Sequence, residues 1–99
     1  MLFLATYEVR LPDLDAVIAK RLEWDVVAPP AMKLVGEWVA HGSGDIVKGV
    51  VVFETNDPAD IQTLVIYYGT SVKFDVRPAS DVPSALERTR AVLDGKTNG

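Results

Sequence analysis

Two stretches of this chain are apolar at both parities of an extended strand, and no other feature restricts its fold as tightly. In Leu2–Val9, Leu2, Leu4 and Thr6 alternate with Phe3, Ala5, Tyr7 and Val9. In Ile46–Glu54, Val47, Val51 and Phe53 alternate with Ile46, Val50 and Val52. Successive side chains of a strand point to opposite faces, so both segments are greasy front and back. Strands of that kind belong in the middle of a sheet that is covered on both sides.

The remaining segments supply the edges and the cover. Lys33–His41 reads as a strand joined to Ile46–Glu54 by the Gly42-Ser43-Gly44-Asp45 turn. Ser71–Arg77 alternates strictly, with Val72, Phe74 and Val76 on one side and Ser71, Lys73, Asp75 and Arg77 on the other. That pattern marks a half-exposed edge strand. A first helix opens at Pro12-Asp13, with Asp13 as its expected N-cap, and stops at Pro29-Pro30. Its expected buried stripe is Leu14, Val17, Ile18, Leu22 and Val26, which leaves Lys20, Arg21 and Glu23 largely off it. Asn56-Asp57-Pro58 starts a second helix, with Asp57 as N-cap, Pro58 at the first helical position and Asp60 in the first turn. Ile61, Leu64, Val65 and Tyr68 form its stripe, Tyr67 and Tyr68 cannot both face inward, and Gly69 ends it. A third helix runs from about Asp81 to Leu93, with Val82, Leu86 and Leu93 inward, and Gly95–Gly99 reads as a flexible tail.

The order β-α-β-β-α-β with right-handed crossovers predicts a ferredoxin-like α+β domain over residues 1–94. Its four-stranded antiparallel sheet has the order 4-1-3-2, and a C-terminal helix follows. Both long helices then lie on one face. The other face of the two central strands stays apolar and bare, and the C-terminal helix is too short to cover it alone. The expected cover is a second copy, giving a homodimer through the sheet face with about 800 Å² buried per partner.

Composition narrows the function classes. The 99 residues suffice for one domain, and an apolar fraction of 48% with 24% charged residues is that of a folded protein. A net charge of −4, with no Lys/Arg cluster, argues against a nucleic-acid partner. The absence of cysteine removes disulfides, thiolate metal sites and cysteine nucleophiles. Met1–Ala5 is apolar but lacks a basic n-region and soon reaches Glu8 and Arg10, so it does not read as a signal peptide. No apolar run approaches the roughly 18 residues that span a bilayer, so no membrane partner is expected and the cytoplasm is the default compartment.

Four segments carry a family resemblance: Met1-Leu2-Phe3, Val35-Gly36-Glu37-Trp38-Val39, Phe53-Glu54-Thr55-Asn56-Asp57-Pro58 and Lys73-Phe74-Asp75-Val76-Arg77-Pro78. Across about residues 1–80 the chain resembles a small domain-of-unknown-function family within the dimeric α+β barrel superfamily. That superfamily includes cofactor-independent monooxygenases, muconolactone-type isomerases, stress-induced barrel proteins and haem-binding members. The resemblance implies the dimeric barrel. It transfers no activity, because fold analogy alone does not carry function.

Few residues offer chemistry. His41, the only histidine, has the side chain suited to acid–base work near neutral pH, but it stands at a strand end before a turn and reads as solvent-facing. Glu37 lies about 13 Å from His41 along the strand, too far for a dyad. Buried between Val35 and Val39, Glu37 would have a raised pKa and act as acid or base; exposed, it is a rim residue of an edge strand. Strict alternation groups Trp38 with Leu34, Gly36 and Ala40 and points that set toward the helices, as a pocket wall or as core. Tyr7, Trp24, Tyr67 and Tyr68 fall in the same region, and Tyr7 joins Glu37 and His41 as a candidate for cofactor-free chemistry. No histidine–carboxylate metal spacing, nucleophile elbow or phosphate loop is present, so neither metal nor cofactor is expected. The resulting expectation is a small hydrophobic or aromatic ligand held by Trp38, Tyr7, Trp24 and Tyr67. The alternative is a monooxygenase- or isomerase-like enzyme of the same superfamily.

Overall fold

A computed structural model describes residues 1–98 in backbone and residues 1–95 in side chains. The strands are β1 (Leu2–Arg10), β2 (Lys33–Val39), β3 (Ile46–Glu54) and β4 (Lys73–Ala79). The helices are α1 (Leu14–Val27), α2 (Pro58–Tyr68) and α3 (Val82–Asn98), with single 3₁₀ turns before α1 and after α2. All strand pairs are antiparallel and the sheet order is β2-β3-β1-β4, which is the expected ferredoxin-like arrangement. The two doubly apolar strands are indeed central, and β4 is an edge.

Register fixes the two faces. Phe3 pairs with Phe53, Ala5 with Val51, Tyr7 with Gly49 and Val9 with Val47, and this face carries α1 and α2. Phe3, Ala5, Val9 and Phe53 are buried here with Leu64 and Tyr68 of α2 and with Val72. Phe3 and Phe53 stack with centroids 5.7 Å apart. Each such side chain contributes about 1.5–3 kcal/mol on leaving water. The opposite face carries Leu2, Leu4, Thr6 and Glu8 of β1 beside Val52, Val50 and Lys48 of β3.

The second helix starts as its punctuation requires. Asp57 Oδ1 accepts from the Ala59 N–H at 3.0 Å, Pro58 stands at the start and Gly69 ends the helix at φ 62°. Asp60 does more than favour the helix dipole. It is buried, and it accepts from Thr55 Oγ1 at 2.5 Å while the Thr55 oxygen accepts from the Asp57 N–H. Asp81 caps α3 through the Ser84 N–H at 2.7 Å, and that bond holds its carboxyl below the usual aspartate value.

Three expectations are corrected. Asp13 makes no side-chain cap, because the Leu11–Asp13 turn already leads the chain into α1. The stripe of α1 is rotated: Leu14, Val17, Arg21 and Trp24 turn toward the sheet and α2, whereas Leu22 and Val26 face outward at 73% and 86% exposure. The cause is Trp24, whose ring packs on Tyr67 and Tyr68 at 5.2 and 6.3 Å and outweighs two aliphatic side chains. Finally, β2 shifts register between Leu34 and Gly36, a bulge at Val35. Leu34 pairs with Phe53 on the helix face, but Gly36 and Trp38 pair with Val52 and Val50 on the open face. A one-residue irregularity transfers every later side chain to the other side.

The last helix departs from expectation in its extent and its surroundings. Its backbone is helical through Asn98, beyond the expected end near Leu93, and Gly99 of the expected tail lies outside the described residues. All its described side chains are exposed, including Val82 and Leu86, which were expected to turn inward.

Candidate ligand pocket between helix 1 and the sheet

The rotation of α1 leaves a cavity of about 680 Å³ under it. Its floor is the helix face of β1 and β3, where Val9, Val47, Val51 and Phe53 project. Leu14, Val17 and Trp24 of α1 form the roof, Leu64 and Tyr68 of α2 one wall, and Pro29, Pro30 and Met32 of the connector another.

Aromatic rings line one side in a chain of contacts. Tyr7 meets Phe74 edge-on at 6.3 Å, Phe74 meets Tyr68 at 5.6 Å, and Tyr68 meets Trp24 at 6.3 Å. Glycine makes room for the first of them. A Cβ at Gly49, directly across from Tyr7, would lie 2.2 Å from the tyrosine ring and hydroxyl and 2.6 Å from the Trp38 carbonyl oxygen.

The polar side of the cavity centres on Arg21. Its Nη2 donates to Glu37 Oε1 at 2.6 Å and its Nε to Glu37 Oε2 at 3.1 Å. Its Nη1 donates to Asp25 Oδ1 at 3.1 Å. The two-point contact with Glu37 is the strong form of this ion pair and raises the guanidinium pKa further. Burial raises the Tyr7 phenol, with the Glu37 carboxylate adding to it and Arg21 opposing. Burial pushes Tyr68 up to about 12, Arg21 opposing and Tyr67, Glu37 and Tyr7 adding. Both phenols are therefore neutral donors at physiological pH.

The structure divides the residues singled out in the sequence. Tyr7, Trp24 and Glu37 converge on the cavity; Trp38, Tyr67 and His41 are not among its lining residues. The expectation that Trp38 faces the helices is corrected: it is 59% exposed on the open face, its indole folded over Gly36. Tyr67 joins the two helices instead. Its hydroxyl donates to the Lys20 carbonyl at 2.8 Å, and Lys20 Nζ donates to the Tyr67 carbonyl at 2.7 Å. His41 is exposed in the loop after β2. Tyr68, which the sequence placed in the same region, lines the cavity too, whereas Arg21, Met32 and Phe74 line it without having been selected from the sequence as site residues. The one advance sign was Arg21 lying between Val17 and Trp24 at helical spacing. Among the described residues no group of three or more histidine, aspartate or glutamate side chains could hold a metal ion. No helix among them is long and apolar enough to cross a membrane.

Comparison with known proteins gives the chain a family. Residues 1–93 match the model described as domain of unknown function DUF3303. The chain belongs to the DUF3303 family. A search of curated proteins gives no match. Among solved structures, this DUF3303 chain is similar to the C-terminal domain of the MgtC protein from Mycobacterium tuberculosis. The identity is 12% and the TM-score 0.56 over 82% of this chain and 92% of that domain. It is also similar to part of a formyltetrahydrofolate deformylase from Pseudomonas putida KT2440, at 11% identity and a TM-score of 0.50. That match covers 80% of this chain and 29% of the deformylase. At such identities the likeness is one of fold, in keeping with the ferredoxin-like α+β topology of this chain.

Proposed function

We propose that this DUF3303 domain binds a small hydrophobic or aromatic molecule beneath α1, and that it does so as a homodimer. The observation carrying the first part is a largely apolar cavity of about 680 Å³ onto which Arg21, Glu37, Tyr7 and Tyr68 converge. Pockets of roughly 300–1,000 Å³ with apolar walls and a few convergent polar groups are the usual form of a small-molecule site. Tyr7 and Trp24 contribute ring faces, and Glu37 and Arg21 orient the ligand. A thermal-shift screen with naphthalene derivatives tests it. A ligand at 100 times its dissociation constant adds about 2.7 kcal/mol to stability. Loss of that shift in Leu64→Trp, which fills the cavity, ties it to this site.

The large exposed surface of the chain supports the dimer. The chain exposes 7391 Å², whereas a monomeric protein of this mass exposes about 5,500 Å². Its radius of gyration is 17.0 Å, against about 13 Å for a compact domain of this length. Part of the excess surface lies on the open sheet face, where Leu4 and Trp38 are 38% and 59% exposed, and the rest is spread over α3 and the outer sides of α1 and α2. A second copy facing that sheet needs only about 800 Å² per partner.

A second reading has one observation in its favour: Tyr7 and Glu37 face the same cavity. In a monooxygenase- or isomerase-like reaction they would be the proton-handling pair. Oxygen uptake or product formation with an aromatic hydroquinone, abolished by Tyr7→Phe, would decide for it.

A further inference from the structure

The charges around the cavity say what kind of polar head its ligand carries, an inference that rests on the ligand-binding reading above. Arg21, Asp25 and Glu37 are the charged side chains among the lining residues. They amount to one cation and two anions. The cation is already engaged, with two nitrogens on Glu37 at 2.6 and 3.1 Å and a third on Asp25 at 3.1 Å. A ligand carboxylate would therefore meet a guanidinium that is already neutralised and two like charges beside it. To reach Arg21 it would have to displace Glu37 and give up a two-point ion pair already made, a net loss even where solvent screens the pair. A donor head meets the opposite situation. The Glu37 and Asp25 oxygens keep lone pairs free for an incoming O–H or N–H. The ring faces of Tyr7, Phe74, Tyr68 and Trp24 tolerate a cation and suit an aromatic body. We infer that the pocket selects apolar ligands whose head donates hydrogen bonds and bears no negative charge, an aromatic alcohol or amine, and discriminates against carboxylic acids.

Three naphthalenes of nearly equal size separate the possibilities by isothermal titration calorimetry on the full chain: 2-naphthylmethanol, 2-naphthylmethylamine and 2-naphthoate. The alcohol and the amine are expected to bind at least tenfold more tightly than the acid. In Glu37→Gln, Arg21 loses its main partner and the gap narrows by about tenfold as the acid gains. Asp25→Asn, at an exposed position, gives a smaller change in the same direction and serves if Glu37→Gln does not fold. Equal binding of all three, or tightest binding of the acid, overturns the selectivity while leaving the pocket as a ligand site. Binding of none of the three overturns both. An unchanged gap in the carboxylate variants shows that these charges do not set the preference.

Discussion

Arg21 of α1 and Glu37 of β2 join across the mouth of the cavity through a two-point ion pair, 2.6 and 3.1 Å. They are 16 residues apart, on an element that packs loosely and on an edge strand. The pair therefore acts as a strap that holds the helix over the pocket.

Removing the strap is expected to weaken the fold modestly. The two side chains are 31% and 39% exposed, so solvent screens their attraction. Arg21→Met and Glu37→Gln should each cost about 1 kcal/mol, and the double variant less than their sum by about 0.5–1 kcal/mol. Urea denaturation of the four proteins measures the coupling. Strict additivity would mean that the pair does not tie α1 down.

The two glycines that face aromatic rings should respond differently to alanine. Gly49→Ala sets a methyl against the Tyr7 ring and the rigid Trp38 carbonyl, and is expected to cost about 1–3 kcal/mol. Gly36→Ala meets only the far end of the exposed Trp38 indole, at 2.6 Å, which can swing away. Its cost should stay below about 1 kcal/mol, the range of an ordinary surface change. Equal midpoints in chemical denaturation would contradict the register derived for Tyr7.

Tyr68 makes stability fall in alkali. Its folded-state pKa of about 12 lies above the ordinary 10.0. The stabilisation is complete below pH 10 and is lost as the pH rises through 12. At full value that separation is worth about 2.7 kcal/mol, and solvent reaching the open cavity reduces the expected loss to about 1–2 kcal/mol. Tyr7, also raised, adds in the same direction. The unfolding free energy of Tyr68→Phe should decline less between pH 10 and 12 than that of the parent; identical slopes would refute the assignment.

The proposed dimer should separate when its sheet face is charged. Leu4 lies on the open side, opposite Val52, away from the helix-side core. Leu4→Lys is expected to give a monomer with an unchanged circular dichroism spectrum at ten micromolar, where the parent elutes as a dimer in light-scattering chromatography. A monomeric parent chain would refute the assembly.

Much of the architecture was legible in the residues themselves. The double apolar parity of Leu2–Val9 and Ile46–Glu54 marks the centre of the sheet because a strand paired along both edges carries apolar side chains at both parities. Strict alternation in Ser71–Arg77 marks the edge, and Asp57-Pro58 and Gly69 delimit α2, because caps and turns act within a few residues. These signals are local or periodic, so the chain alone contains them.

Tertiary structure decided the site. The rotation of α1 was settled by Trp24 meeting Tyr67 and Tyr68, and by Arg21 meeting Glu37, contacts with partners far along the chain. The face of Trp38 was settled by a bulge at Val35 where β2 joins β3, and so Glu37 rather than the indole entered the cavity. Periodicity records which residues can share a face. When a helix has two workable stripes, or an edge strand can slip by one residue, only the summed packing with the rest of the fold selects between them.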